Sequence, residues 1–239
     1  MGKFVNIGHF KSSTKLISLL LFLIVCFSLL LRLNGINWDG GNFFHPDERS
    51  ILMRVDCMYR VLAELPGYLS CLKESPGQHS GIPSLIIFLD PVKSPLNPHW
   101  FPLGGFILYL LLTIRVGLSP FITIDLESLS IMGRLLGSLA DTGSVILIFI
   151  LAKYLFGKNW GLLAATLLGL SVIHVQLAHF YRPEPFLVLF LLASFWQIFA
   201  LANNLRYRNT LLLGGFIGLA VATKITVLPI LLPVFMLYI

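Results

Sequence analysis

The stretch Leu16–Ile36, LISLLLFLIVCFSLLLRLNGI, decides the fold. At about 1.5 Å per residue it is long enough to cross a hydrocarbon core of about 30 Å as a single helix. Lys3, Lys11 and Lys15 stand before it. A basic start followed by an apolar run is also the plan of a cleaved signal peptide. The run is long for that purpose, and Arg32-Leu33-Asn34-Gly35 makes a poor small-residue cleavage site, so an uncleaved helix is the expectation.

The rest of the chain repeats the pattern. It is 56% hydrophobic and 12% charged, with mean hydropathy +0.86, which excludes a water-soluble globule and a disordered chain. Further spans are expected over residues 131–152, 160–180, 185–202 and 210–239. The fold class is therefore all-α: a polytopic transmembrane helical bundle, read as one transmembrane domain. Because the chain ends in apolar sequence, residues 1–239 are expected to be the N-terminal part of a longer protein.

Sidedness follows from the basic residues. With the N-terminus in the cytoplasm and alternating spans, the inner segments hold Lys3, Lys11, Lys15, Lys153, Lys158, Arg206 and Arg208 and no acid. Every acid falls between Asp39 and Glu184, in outward stretches or, for Asp141, inside a helix. Residues 101–114 threaten this parity, because a further crossing there turns the later loops over. That run has only about 14 apolar residues before Arg115 and contains Pro102 and Gly104-Gly105, so it is short for a span and is read as interfacial or re-entrant. One large extracytoplasmic loop, residues 37–130, then holds two juxtamembrane helices.

Charge is scarce, which makes the cluster His45-Pro46-Asp47-Glu48-Arg49 informative. Pro46 disfavours the α conformation at His45 and suits the first position of a helix, placing Asp47 and Glu48 in a first turn whose exposed amides favour acids. Ile51, Leu52, Val55, Met58, Tyr59 and Leu62 follow at helical spacing, with Arg54, Asp56 and Arg60 polar, so this helix is expected to lie amphipathically on the membrane face. On that ground alone, the two acids can equally be good helix starters and nothing more.

A second constellation, His174, His179, Tyr181, Arg182 and Glu184, is expected at the external end of the third span, on the same side as Asp47. An ordinary polar turn with a local Arg182–Glu184 pair is the plainer reading. Arg134 and Asp141, seven residues apart, project from one side of the second span and either pair structurally or mark a functional site. Arg32 is expected to snorkel to the interface. Lys224 interrupts apolar sequence, with Pro229 and Pro233 beyond it, so one broken helix or two short ones are expected there, with the ammonium facing a cavity or a partner.

These residue types suggest one chemistry. A carboxylate at a membrane surface can take a proton from a hydroxyl nucleophile, and Arg or Lys nearby can hold a phosphate. The implied substrate is an amphiphile with an anionic head and an apolar tail, a description that a polyprenyl-phosphate sugar fits.

At this point the chain resembles a known family, the polytopic GT-C glycosyltransferases of the protein O-mannosyltransferase and aminoarabinose-transferase branch. The resemblance rests on Phe44-His45-Pro46-Asp47-Glu48, Asn97-Pro98-His99-Trp100-Phe101-Pro102-Leu103-Gly104, and Gly133-Arg134-Leu135-Leu136-Gly137-Ser138-Leu139-Ala140-Asp141. It continues through Tyr154-Leu155-Phe156-Gly157, His179-Phe180-Tyr181-Arg182-Pro183-Glu184 and Gly218-Leu219-Ala220-Val221-Ala222-Thr223-Lys224. It implies an extracytoplasmic active site built over two juxtamembrane helices in the first loop. It also implies that Asp47 is the base that activates an acceptor hydroxyl, that the lipid phosphate leaves with inversion at the sugar, and that Glu48 positions acceptor or sugar. Arg134, Arg182 and Lys224 become phosphate candidates, and His45, Arg49, His179 and Glu184 join them as substrate-binding candidates. The Pro183-Glu184-Pro185 stretch departs from the acidic motif many members carry there.

The expected partners are a polyprenyl-phosphate-linked sugar, the bilayer and a hydroxyl acceptor on a glycan, lipid or protein. The expected location is the cell membrane. A transporter or lipid flippase component, with Arg134, Asp141 and Lys224 along a path, is the alternative. No cofactor is expected; a metal at His45, Asp47, Glu48 and His179 stays open, although no tight ligand motif is present. The net charge of +6 does not argue for nucleic acid, because orientation explains its cytoplasmic share. No phosphate-cradling glycine loop is present, which disfavours a nucleotide-sugar donor. Cys57 and Cys71 lie where a bridge is possible, but spacing alone does not establish one.

Overall fold

The computed structural model describes residues 14–63, 90, 94, 96–98 and 101–237. All secondary structure among them is helical, with no strand. Lys3, Lys11, Cys71 and the His99-Trp100 pair of the second motif lie outside the described residues.

Helix α1, Thr14–Leu33, is the first apolar run. Helix α2, Pro46–Leu62, begins where Pro46 requires it: His45 is extended, with φ −79° and ψ 119°, and Pro46 opens the first turn. Its inner face is Glu48, Ile51, Leu52, Val55 and Met58, the helical spacing expected from the sequence with one acid included. Helix α3, Phe106–Leu118, has 13 residues, about 20 Å, short of a crossing. It lies against α2 through Ile107, Leu108, Leu111 and Leu112, which are buried.

Helix α4, Leu126–Phe156, is longer than the span expected over 131–152. Asp125 caps it, accepting from the Ser128 N–H at 2.8 Å, so its first turns form in spite of their polar composition. Its 31 residues rise about 46 Å, more than a membrane's apolar thickness of about 30 Å, and its N-terminal part reaches α2 and α3. Residues 160–180 do not form one straight helix. Helix α5, Lys158–Gly169, and helix α6, Val172–Ala178, meet at a 55° bend. The bend is stabilised from outside, because the Gly169 carbonyl, left without an intrahelical partner at the end of α5, accepts from Arg32 Nη1 at 3.0 Å.

Helix α7, Glu184–Asn203, follows the expected 185–202 closely, and helix α8, Tyr207–Thr223, leads to Lys224. There the backbone becomes extended, with φ −161°, before a 3-10 turn, Ile225–Ile230, and helix α9, Leu231–Leu237. Of the two possibilities for this segment, two helices separated by a break is the one found. By length and composition α1, α4 and α7 are able to cross a membrane, and α5 with α6 makes a fourth crossing if the bent pair is one span.

Helix α4 is central, touching α1, α5 and α7, while α8 lies on α7. Lys158 Nζ donates to Thr14 Oγ1 at 3.0 Å, and Asn203 donates to the Tyr154 hydroxyl. The start of α1 and the ends of α4 and α7 therefore share one end of the bundle. The first turns of α2 and α7 and the corner between α6 and α7 share the other.

Candidate functional site: an ion-pair cluster over a buried arginine

The site grows from a consequence of helix geometry. Successive residues on a helix point about 100° apart, so adjacent acids at the start of α2 cannot face the same way. Glu48 turns inward and is fully buried, whereas the Asp47 side chain is 38% exposed.

Beneath Asp47, Glu48 meets Arg134. Glu48 Oε1 accepts from Arg134 Nε and Glu48 Oε2 from Arg134 Nη2, both at 2.8 Å. Asp39 accepts from the same guanidinium at 3.0 and 2.8 Å, and the Ile36 carbonyl accepts from Nη1 at 2.9 Å. A guanidinium has five N–H donors, and all five are engaged. The Arg134 hydrogen bonds hold the Asp39 carboxyl below its ordinary value of 3.8, outweighing the opposing effect of burial. The backbone amides of Gly41 and Phe43 add to that lowering.

Glu48 also accepts from the Tyr181 backbone N–H at 2.9 Å, which ties the corner before α7 to the start of α2. The Tyr181 hydroxyl donates to the Ile107 carbonyl at 2.6 Å, tying it to α3 as well. Complete burial pushes the Tyr181 phenol up, so it stays a donor. Its ring lies on Gly133 so closely that a Cβ there would stand 2.6 Å from the ring carbon Cγ. Gly133 is the gap that admits the ring.

On this floor stands a chain of exposed or half-buried charges. Arg182 Nη2 is 3.4 Å from Asp47 Oδ2. Arg182 Nη1 lies 3.1 Å from His45 Nε2, and since a guanidinium only donates, that histidine nitrogen accepts. Arg182 also holds Glu184 with both Nε, at 3.1 Å, and Nη2, at 3.2 Å. Glu184 Oε1 in turn is 3.1 Å from Lys224 Nζ. Asp47 accepts no hydrogen bond from the described residues. Its lone pairs face outward with one cation beside them.

Lys224 arrives by way of the break after α8. Gly104, at φ +75°, comes so close to that helix end that a Cβ would stand 2.2 Å from the Thr223 carbonyl oxygen. Beside it, the Gly105 N–H donates to the Ala222 carbonyl at 3.0 Å. The loop before α3 thus covers the open end of α8 and holds Lys224 where Glu184 meets it.

The structure brings His45, Asp47, Arg182, Glu184 and Lys224 together, places Glu48 and Arg134 below them, and leaves two candidates aside. His179 is bound by both ring nitrogens to carbonyls, Val175 at 2.7 Å and Asn34 at 2.8 Å. Arg49 is exposed and makes no ion pair among the described residues. Asp39 was not singled out for the site by its sequence; an acid just after the first span was the available signal. Among the described residues, no three His, Cys, Asp or Glu side chains are grouped to hold a metal ion.

Deeper in the bundle a separate cluster corrects two expectations. Arg32 does not snorkel outward but is fully buried, with Nε and Nη2 both 2.7 Å from Asp141 Oδ2. Asp141 therefore pairs with Arg32 and not with Arg134, and its other oxygen lies 2.7 Å from His174 Nδ1. Burial costs both groups their hydration, and the close carboxylate together with the Ser28 and Gly169 carbonyls offsets that cost for the guanidinium. On the far side of α2, Asp56 receives Arg115 at 2.7 Å and Arg60 at 2.6 Å. Cys57 on the same helix is disulfide-bonded, while Cys26 on α1 is a free thiol.

No curated protein matches the chain. The family model described as dolichyl-phosphate-mannose-protein mannosyltransferase matches residues 122–239, a stretch that holds Arg134, Arg182, Glu184 and Lys224 but begins after Asp47 and Glu48. With its apolar helices and this match, the chain is an integral membrane protein that over residues 122–239, about half its length, is similar to the dolichyl-phosphate-mannose-protein mannosyltransferase family of membrane glycosyltransferases.

Proposed function

We propose that the protein transfers a sugar from a polyprenyl-phosphate donor to an acceptor hydroxyl, with Asp47 as the base. The observation that carries this reading is the division between the two adjacent acids: Glu48 is saturated by Arg134 and Tyr181, while Asp47 keeps free lone pairs 3.4 Å from Arg182. Asp47 takes the acceptor's hydroxyl proton as the oxygen attacks the anomeric carbon. The bond from that carbon to the phosphate oxygen breaks, its electron pair stays on the phosphate, and configuration inverts. Arg182 and Lys224 stabilise the charge that appears on the leaving phosphate, so no general acid is required there. Glu48 and Arg134 position the base and Arg182 through Tyr181 and do not touch the reacting atoms.

The reaction is assigned to the extracytoplasmic side of the cell membrane, with the N-terminus in the cytoplasm. In support, the bundle end opposite Asp47 carries Lys153, Lys158, Arg206 and Arg208 and no acid. The disulfide at Cys57 also suits an oxidising compartment. A path through the bundle for a transporter draws no support from Arg134 and Asp141, which are each buried in a separate ion-pair cluster. The test is sugar transfer in membranes supplied with a panel of polyprenyl-phosphate sugars. Asp47→Asn protein, expressed at the normal level, is expected to transfer none, and near-normal transfer would overturn the assignment.

A further inference from the structure

We infer that Glu184 is the resident occupant of the donor-phosphate position and that the donor must displace it to bind. The inference rests on the reading above, that Arg182 and Lys224 receive the phosphate. Those two cations stand on either side of one carboxylate, with Glu184 oxygens 3.1 and 3.2 Å from Arg182 and 3.1 Å from Lys224. This is how two cations grip one phosphate group: a forked contact from the guanidinium and a point contact from the ammonium.

Charge requires the displacement. Arg182 and Lys224 face Glu184 and Asp47, two positive charges against two negative, so the cluster as it stands offers an anion no net attraction. A phosphodiester added without moving Glu184 meets a carboxylate on the very donors it needs. Glu184 has somewhere to go. It is the first residue of α7, its side chain is 22% exposed, and the free N–H groups at that helix start favour a carboxylate beside them.

The arrangement also fits the order of events in the transfer. Breaking the sugar–phosphate bond leaves the lipid phosphate with one more negative charge than the donor carried, so an unopposed pair of cations holds product more tightly than substrate. A tethered carboxylate competes at an effective concentration in the millimolar range and helps the product leave. Glu184 thereby sets the preference of the site for a singly charged phosphodiester over the more highly charged monoester.

Equilibrium binding of a short-chain polyprenyl monophosphate to the protein in nanodiscs tests this. Glu184→Gln and Glu184→Ala are each expected to bind the lipid about tenfold more tightly than wild type, the usual size of coupling between two competing ligands. A structural carboxylate that merely orients the cations predicts the reverse, so unchanged or weaker binding in either variant overturns the inference. A second measurement needs no variant. Carbodiimide-driven amidation of Glu184, read by peptide mass spectrometry, is expected to rise when the lipid phosphate occupies the wild-type protein, and a fall or no change overturns the inference. Failure of the underlying reading looks different: Arg182→Gln and Lys224→Met would then bind the lipid as well as wild type.

Discussion

Glu48 and Arg134, 86 positions apart, are joined by two hydrogen bonds of 2.8 Å in a fully buried pair, and the neighbouring Asp47 is left as the acid that faces outward. Two adjacent carboxylates therefore have separable consequences. Asp47→Asn is expected to lower sugar transfer by at least about 10²-fold, the range for loss of a general base, without lowering the unfolding temperature. Glu48→Gln strips a buried guanidinium of one of its two counter-ions, and breaking such a pair costs about 3–5 kcal/mol. It should show as a loss of folded protein in detergent melts. Equal melting temperatures for the two variants would refute this division.

Asp39 supplies the pH dependence of the same knot. Its pKa is lowered in the folded protein, so its contribution to stability is fully present above the ordinary value of 3.8 and is lost as pH falls through the lower folded value. Acid melts from about pH 6 to about pH 2 should show a destabilisation in wild type that is smaller in Asp39→Asn, which starts less stable and has one carboxylate fewer to protonate. Parallel curves for the two proteins would remove Asp39 from this role.

The buried Arg32–Asp141 pair makes a prediction that needs a double variant. Asp141→Asn leaves Arg32 buried without its carboxylate and should cost about 3–5 kcal/mol, whereas Arg32→Met with Asp141→Leu should recover much of that loss, because an apolar pair of similar volume often replaces a buried ion pair without penalty. Thermal melts of the three proteins check it, and a double variant no more stable than Asp141→Asn would contradict it.

What the sequence disclosed divides along physical lines. The apolar runs, the helix start at Pro46 and the shortness of residues 101–114 as a span were legible because length, proline geometry and hydrophobicity act locally. The bend between α5 and α6 was not, since it depends on Arg32 reaching the Gly169 carbonyl 137 positions away. The partners of Arg134 were hidden for a related reason. Asp141, seven residues along the same helix, is a partner that local spacing offers, whereas Asp39 and Glu48 are brought to Arg134 by the chain entering α2. Asp47 and Arg182 were expected on one surface because sidedness is legible in charge. Which acid of the pair faces outward depends on the rotation of α2 about its axis, and only packing against α3 and α4 sets that.

The contact of Gly104 with Thr223 offers a test of how Lys224 is held. Gly104 has φ +75°, a conformation that costs an ordinary residue about 1–3 kcal/mol, and the Cβ of an alanine there would stand 2.2 Å from the Thr223 carbonyl oxygen. Backbone cannot yield as a side-chain tip does, so the loop before α3 must lift from the end of α8. Lys224, the next residue after that carbonyl, then loses its fixed approach to Glu184 and to any phosphate that replaces it. Gly104→Ala is therefore expected to weaken binding of a polyprenyl phosphate in the same direction as Lys224→Met while leaving Asp47 and Arg182 in place. The decisive comparison is the double variant. If Gly104 acts through Lys224, adding Gly104→Ala to Lys224→Met should weaken lipid binding little further, and a full additive loss would show that the loop contributes to the site by some other route.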